Sequence, residues 1–288
     1  VTDDGDDDDI YLQPVDPREM LTTPELSGLL PQDQPTEETV ARWVATVARL
    51  DEWWQETSPL LVEMVKLTSS LHRRLMDNLP TNWPRDGSRL NNSWQVLQDG
   101  IPIAYVPRAE IVHKILEEDA YEDRARVVAD NRLDIADDCR AALDSRTLHY
   151  TVADLSVLID EAVAVLVEGR FASAQSLAVN IADNIVRRTM DPKWKYGRIV
   201  ATIKDSRFED ELTSVALAFQ PTLRFYEFWR FGGTPPRRLN RHRTAHWLTP
   251  EHVTEANATA SVMLATSLLL AVTDWRNWID SQNAQETL

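Results

Sequence analysis

A single cysteine, Cys139, stands in 288 residues, so the chain has neither an internal disulfide nor a thiolate zinc site. A reducing, cytoplasmic setting is the expectation that follows. Glycine is also scarce, at eight residues, which argues against an all-β fold rich in tight turns. No apolar run reaches the roughly 18 residues that a membrane span needs. The nearest, Ala258 to Val272, is interrupted by Thr259, Ser261, Thr266 and Ser267 and reads as a core helix, so no membrane partner is expected. Val1 to Asp9 is acidic where a signal peptide would be basic. Familiar catalytic signatures are missing too: a glycine-rich phosphate loop ending in Lys-Ser or Lys-Thr, a dinucleotide fingerprint, a paired-histidine metalloprotease motif, a Cys-x-x-Cys pair and a glycine-flanked serine elbow. No cofactor is expected.

What is present points to helix. Hydrophobic residues make up 43% and charged residues 26%, enough apolar material for a sizeable core. The formal net charge of −16 opposes a protein that coats nucleic acid with its whole surface. The charge is uneven, however: Val1 to Ser27 holds nine acids and one base, whereas Ile185 to Trp247 holds thirteen bases and six acids. The C-terminal half therefore carries the better anion-binding surface.

Residues 1–35 combine an aspartate run with several prolines and read as an acidic disordered arm. Residues 36–147 read as an N-terminal helical unit. Thr36 caps a helix with Val40, Trp43, Val44, Val47 and Leu50 at helical spacing, and Pro59 restarts a second one. Between Leu79 and Pro107 the period fails, and Asp99-Gly100, between WQVLQ and IPIAYVP, has the composition of a short hairpin turn. Helix resumes at about Arg108 and, after a break near Glu118, continues from Tyr121 to Leu143. Residues 148–288 read as a second helical domain. Thr151 with Asp154 forms a capping-box pattern for a helix ending near Gly169, and a further helix from Phe171 to Arg188 follows at once, which implies an antiparallel pair. Shorter helices are expected between Pro192 and Arg230. Thr249, Pro250 and Glu251 supply the start of a last helix, to about Ile279, that buries Val253, Ala256, Ala260, Met263, Leu264, Leu268 and Trp275. The fold class expected is all-α, a helical bundle.

The one segment with the makings of chemistry is PPRRLNRHRTAHWLTPEH, residues 235–252. It gathers half of the six histidines and four arginines beside a helix start. Arginines grip phosphate in a bidentate fork, histidine exchanges protons near neutral pH, and a helix N-terminus favours anions. Those are the parts of phosphoryl chemistry without a metal. His242 and His246, four apart and near Glu251 and His252, also have a metal-ligand spacing. The positive charge of Arg238, Arg241 and Arg243 would repel a cation, and no metal is expected.

Arg241, followed by the polar His242 and, after three further residues, by His246, resembles the Arg-polar-x-x-x-His motif of the HEPN superfamily. Members of that superfamily are small helical bundles, many of them metal-independent RNases of toxin–antitoxin and abortive-infection systems. The order of an antiparallel helix pair, the motif and a last core helix is similar as well. More narrowly, DGIPIAYVPRAEIV and RRLNRHRTAHWLTPEHVTEANATASVMLATSLL resemble an actinobacterial protein family. The resemblance implies that residues 148–288 form a HEPN-like domain. Arg241 would hold the scissile phosphate, His246 would act as general acid or base, and His242 and Asn240 would orient the reacting groups. Arg237, Arg238 and Arg243 would bind substrate beside them. Trp247, a bulky indole after the histidine, would either stack a base or narrow the pocket. The resemblance further implies RNA as partner, a homodimer with paired sites and an antitoxin or regulatory protein. Arg108 and His113 repeat the spacing, but Ala109 lacks the polar follower and His113 lies among apolar residues as a half-buried helix position. The function expected is a metal-independent endoribonuclease in phage defence or a toxin–antitoxin-like system. The alternative is a catalytically silent module that binds RNA, a nucleotide or a protein through the same basic cleft.

Overall fold

The computed structural model describes residues 79–84, 89–189, 213–229 and 236–286, together with Ala45 and Arg198. The chain divides into two compact units, Val1–Thr68 and Ser69–Leu288. In the first, only Ala45 is described, and it is helical. The acidic arm and the helices expected after Thr36 and Pro59 thus lie outside the described residues. The junction expected between residues 144 and 151 falls inside the second unit, because the last helix packs on elements from both sides of it.

Among the described residues every regular element is helix. In chain order they are α1 (Leu90–Gln98), α2 (Ala109–Glu117), α3 (Tyr121–Asp130), α4 (Arg132–Asp144), α5 (Ser156–Val167) and α6 (Phe171–Thr189). These are followed by α7 (Thr213–Phe219), α8 (Thr222–Phe225), α9 (Arg241–His246) and α10 (Glu255–Glu286), with a 3-10 turn, Ala153–Leu155, before α5. α10 is the axis of the unit: it packs most extensively on α6 and also meets α3, α4, α5 and α7. Every residue from Asn257 to Thr273 is buried, so this long apolar helix is a core element, hydrophobic all round as a central helix must be. Three of its hydroxyls bond locally or across the core. Thr259 and Ser261 donate to the carbonyls of Glu255 and Ala258, and Ser267 donates to Ala104 at 2.6 Å. Of the residues expected on its buried face, Ala260, Met263, Leu264 and Leu268 are buried, whereas Val253, Ala256 and Trp275 are only partly covered.

The hairpin expected at Asp99-Gly100 is replaced by a helix end. Gly100 adopts φ 86°, its N–H reaches Leu97 O and the Ile101 N–H reaches Val96 O. This is the Schellman arrangement, in which a left-handed glycine closes the last turn of a helix. The same dipeptide composition serves both structures, because each needs a residue that tolerates positive φ. WQVLQ is accordingly helical, and IPIAYVP is an irregular, mostly buried segment that bends at Ala104 and Tyr105. Its carbonyls find side-chain donors: Asn82 Nδ2 and Trp83 Nε1 both reach Ile103 O at 2.9 Å, and Asn82 also reaches Pro107 O. Gly169, at φ 77°, closes α5 with the same pair of bonds, Gly169 N to Leu166 O and Arg170 N to Val165 O.

Thr151 and Asp154 do not form a capping box. Asp154 faces Arg188 of α6 at 2.7 Å, while Thr151 Oγ1 meets Nδ1 of the buried His149, whose Nε2 lies 3.2 Å from Asp280 of α10. The α5–α6 hairpin itself forms as expected, and α9 rests on α6.

Candidate functional site

Asn240 and the six residues of α9 organise the basic segment. Asn240 is buried and acts as N-cap, its Oδ1 accepting from the Arg243 N–H at 2.9 Å. Its Nδ2 donates to Glu227 O at 2.8 Å, which ties α9 to the chain following α8. Arg243 is also buried, with Nη1 on Pro236 O and Nη2 on Thr249 Oγ1, each at 2.8 Å. Burial lowers its pKa from the usual guanidinium value. Thr244 receives a hydrogen bond from Gln175 of α6 at 3.0 Å and lies 3.2 Å from Nε2 of the buried His252. Asn240, Arg243, Thr244 and His252 therefore form the inner face of the segment. The expected substrate-binding role of Arg243 and the orienting role of Asn240 meet an obstacle in this burial, because both side chains are spent on hydrogen bonds within the protein.

The start of the last helix also differs from expectation. Thr249 accepts from Arg243 and its carbonyl closes a turn onto His252 and Val253. Thr254 is the residue whose Oγ1 accepts from the Asn257 N–H at 3.1 Å, and α10 begins at Glu255.

The remaining arginines divide by location. Arg238 pairs with Asp99 at 2.8 Å and lies over the Tyr121 ring at 4.6 Å; Asp99 in turn holds the buried Arg124 at 2.6 Å. Arg237 is exposed and 3.6 Å from Glu122. An open groove beside the start of α10 is lined by Tyr121, Arg126, Arg237, Arg243, Glu251 and Asn257, among others, and by neither His242 nor His246. Its charge is mixed rather than basic.

Arg241, His242, His246 and Trp247 make up the outer part. Arg241 Nη2 lies 3.3 Å from Asp183 Oδ2 of α6, and the two side chains are 18% and 13% exposed. Asp183 also accepts from Tyr226 Oη at 2.9 Å and from Arg187 Nε at 3.1 Å. Five residues of helix separate Arg241 from His246, a rotation of about 140°, whereas His242 and His246 are one turn apart and share a face. Their rings stand 5.1 Å apart in an edge-on arrangement. Burial, the neighbouring His246 and the charge of Arg241 together lower the pKa of His242 and favour its neutral form.

Phe228 and Trp229, from the segment after α8, complete this face. Phe228 packs on His242 at 5.3 Å and Trp229 on Trp247 at 6.5 Å. Neither aromatic was picked out from the sequence, where nothing marks FYEFW as a neighbour of RHRTAHW. The decoy pair separates cleanly. Arg108 stands before α2 and binds Asp138 at 2.6 Å, while His113 is exposed rather than half-buried. Among the described residues no three histidine, cysteine or acidic side chains converge as a metal-ligand set.

Compared with known proteins, the chain matches no family model, no curated protein and no solved structure.

Proposed function

We propose that the chain is a metal-independent endoribonuclease of the HEPN type that works at the outer face of α9, in a cytoplasmic phage-defence or toxin–antitoxin-like setting. The observation that carries this reading is the His242–His246 pair, two imidazoles 5.1 Å apart with Arg241 at the same short helix. His242, held neutral, accepts the proton of a ribose 2′-hydroxyl as its oxygen attacks phosphorus. The bond from phosphorus to the 5′-oxygen breaks, and His246 delivers a proton to that leaving oxygen. Arg241 stabilises the charge that gathers on the phosphoryl oxygens. The products are a 2′,3′-cyclic phosphate and a free 5′-hydroxyl, and neither step calls for a metal. The family resemblance adds a homodimer with two such faces and an antitoxin or regulatory partner.

The test is incubation of the full chain with labelled RNA in excess EDTA, with the product ends determined and the mass in solution measured by sedimentation. Cleavage to cyclic phosphate by a dimer is the expected result. No cleavage of any RNA, or cleavage lost in EDTA, overturns the reading.

A second reading draws on the Asp183–Arg241 pair. A guanidinium already facing a buried carboxylate is a weaker phosphate ligand, which favours a non-catalytic module that binds RNA, a nucleotide or a protein at this face. Binding of RNA by the wild-type chain without cleavage of any RNA distinguishes it.

A further inference from the structure

The groove beside the start of α10 is separate from the outer face of α9, since neither His242 nor His246 lines it. Its volume is about 640 Å³, the size of a small-molecule site. Tyr121, Ala125 and Ala129 follow one stripe of α3 at four-residue spacing and, with Ala256, give it an apolar lining. Around that lining Arg126, Arg237 and Arg243 stand against Glu122, Glu251 and Glu255, so the side-chain charges cancel. The acids are engaged. Glu122 is 3.6 Å from Arg237 and Glu255 is 2.9 Å from Arg132, while hydrogen bonds from its own backbone and from Thr249 hold Glu251 below the usual carboxylate range.

Donors, by contrast, are left over. Arg243 is 5% exposed; its two Nη atoms are bonded to Pro236 O and Thr249 Oγ1, but its Nε has no hydrogen-bond partner among the described residues. The 32-residue α10 begins in the same groove. Thr254 accepts from the amides of Asn257 and Ala258, whereas those of Glu255 and Ala256 precede the first intrahelical bond and have no carbonyl of the helix to reach. They carry the positive end of the helix dipole, about half an elementary charge.

From these observations we propose that the groove binds a small organic monocarboxylate, its head at the Glu255 and Ala256 amides beside Arg243 and its apolar body on Ala125, Ala129 and Ala256. One charge suffices for the head, because the three glutamates offset the three arginines and repel a dianion such as a phosphate monoester. A body is needed because a carboxylate alone covers little of the alanine lining and gains little from it. The site does not depend on the nuclease reading.

The test is titration of the full chain, labelled with nitrogen-15, with phenylacetate, following the backbone amides of Glu255 and Ala256 and the Arg243 Nε–H by NMR. The three signals shift together and saturate at millimolar phenylacetate. Acetate, which lacks the body, 2-phenylethanol, which lacks the charge, and phenyl phosphate, which carries a second charge, each bind at least about ten-fold more weakly, the scale of one charged hydrogen bond. Ala125→Glu, at a partly exposed position of α3, adds a fourth carboxylate and abolishes binding. Glu122→Gln removes one and tightens phenyl phosphate at least about three-fold. Absence of a saturable shift at these signals overturns the proposal. So does 2-phenylethanol binding as tightly as phenylacetate, which makes the groove merely apolar, or phenyl phosphate doing so, which makes it a general anion site. Phenyl phosphate affinity indifferent to Glu122→Gln removes the selection for a single charge and with it the proposal.

Discussion

Asp183 of α6 and Arg241 of α9 meet at 3.3 Å across 58 residues of chain. The carboxylate is a hub, because Tyr226 and Arg187 also donate to it. It fixes where the guanidinium of α9 stands relative to the α5–α6 hairpin.

Removing that hub takes a shared acceptor from Arg241, Tyr226 and Arg187. Asp183→Ala is expected to lower stability by about 3 kcal/mol, the scale for breaking one partner of a largely buried ion pair. Urea denaturation followed by circular dichroism measures it. A change below about 0.5 kcal/mol shows that Arg241 and Arg187 are solvated in the absence of Asp183 and that the hub is dispensable.

The assignment of roles on α9 separates proton transfer from binding. If the proposed nuclease reading holds, His246→Ala is expected to abolish cleavage and leave RNA affinity nearly intact, and Arg241→Ala to weaken both, with rate losses of about a hundred-fold or more. His113→Ala, at the decoy spacing on α2, changes neither. Single-turnover rates beside equilibrium binding resolve the three, and a fully active His246→Ala chain removes the catalytic histidine from the scheme.

His252 gives the bundle an acid-sensitive component. Burial, reinforced by the charge of Arg243, lowers its pKa from 6.5 to about 4. The unfolded histidine therefore takes up its proton first as pH falls. Stability from this group is complete above about pH 6.5, declines between there and about pH 4, and levels off below. The full effect is about 3 kcal/mol. Unfolding free energy of the wild type against His252→Gln from pH 7 to pH 4 reads it: the wild-type curve falls more steeply. Parallel curves show that another group governs the acid limb.

Cys139 is buried in α4, and burial pushes its thiol pKa up to about 12. Thiolate is the reactive form. Native protein is expected to be silent to a thiol-specific chromogenic reagent over minutes at pH 8 and to release one equivalent when unfolded in guanidinium. Rapid labelling of the native chain means that α4 opens far more readily than a core helix should.

Much of the architecture was legible in the sequence for local reasons. The period of Phe171–Arg188, the glycine at residue 169 and the apolar stretch from Ala258 to Val272 depend on near neighbours along the chain, and α5, α6 and α10 answer to them; the helix expected from Tyr121 to Leu143 is helical but broken at Asn131 into α3 and α4. Asp99-Gly100 misled because a positive-φ glycine ends a helix as readily as it turns a hairpin, and only Leu97 and Val96, already in a helix, decide which carbonyls its end will face. Thr249 likewise has the composition of a cap, yet the chain places Thr254 there. The candidate site divides along the same line. The sequence by itself collected Arg237 to Trp247 into one basic, histidine-bearing segment. The tertiary structure alone sorted it, turning Asn240 and Arg243 inward as supports, giving Arg241 to Asp183, and setting Phe228 and Trp229 against His242 and Trp247. Those partners are distant in sequence, and a residue's burial is settled by what packs on it rather than by its own chemistry.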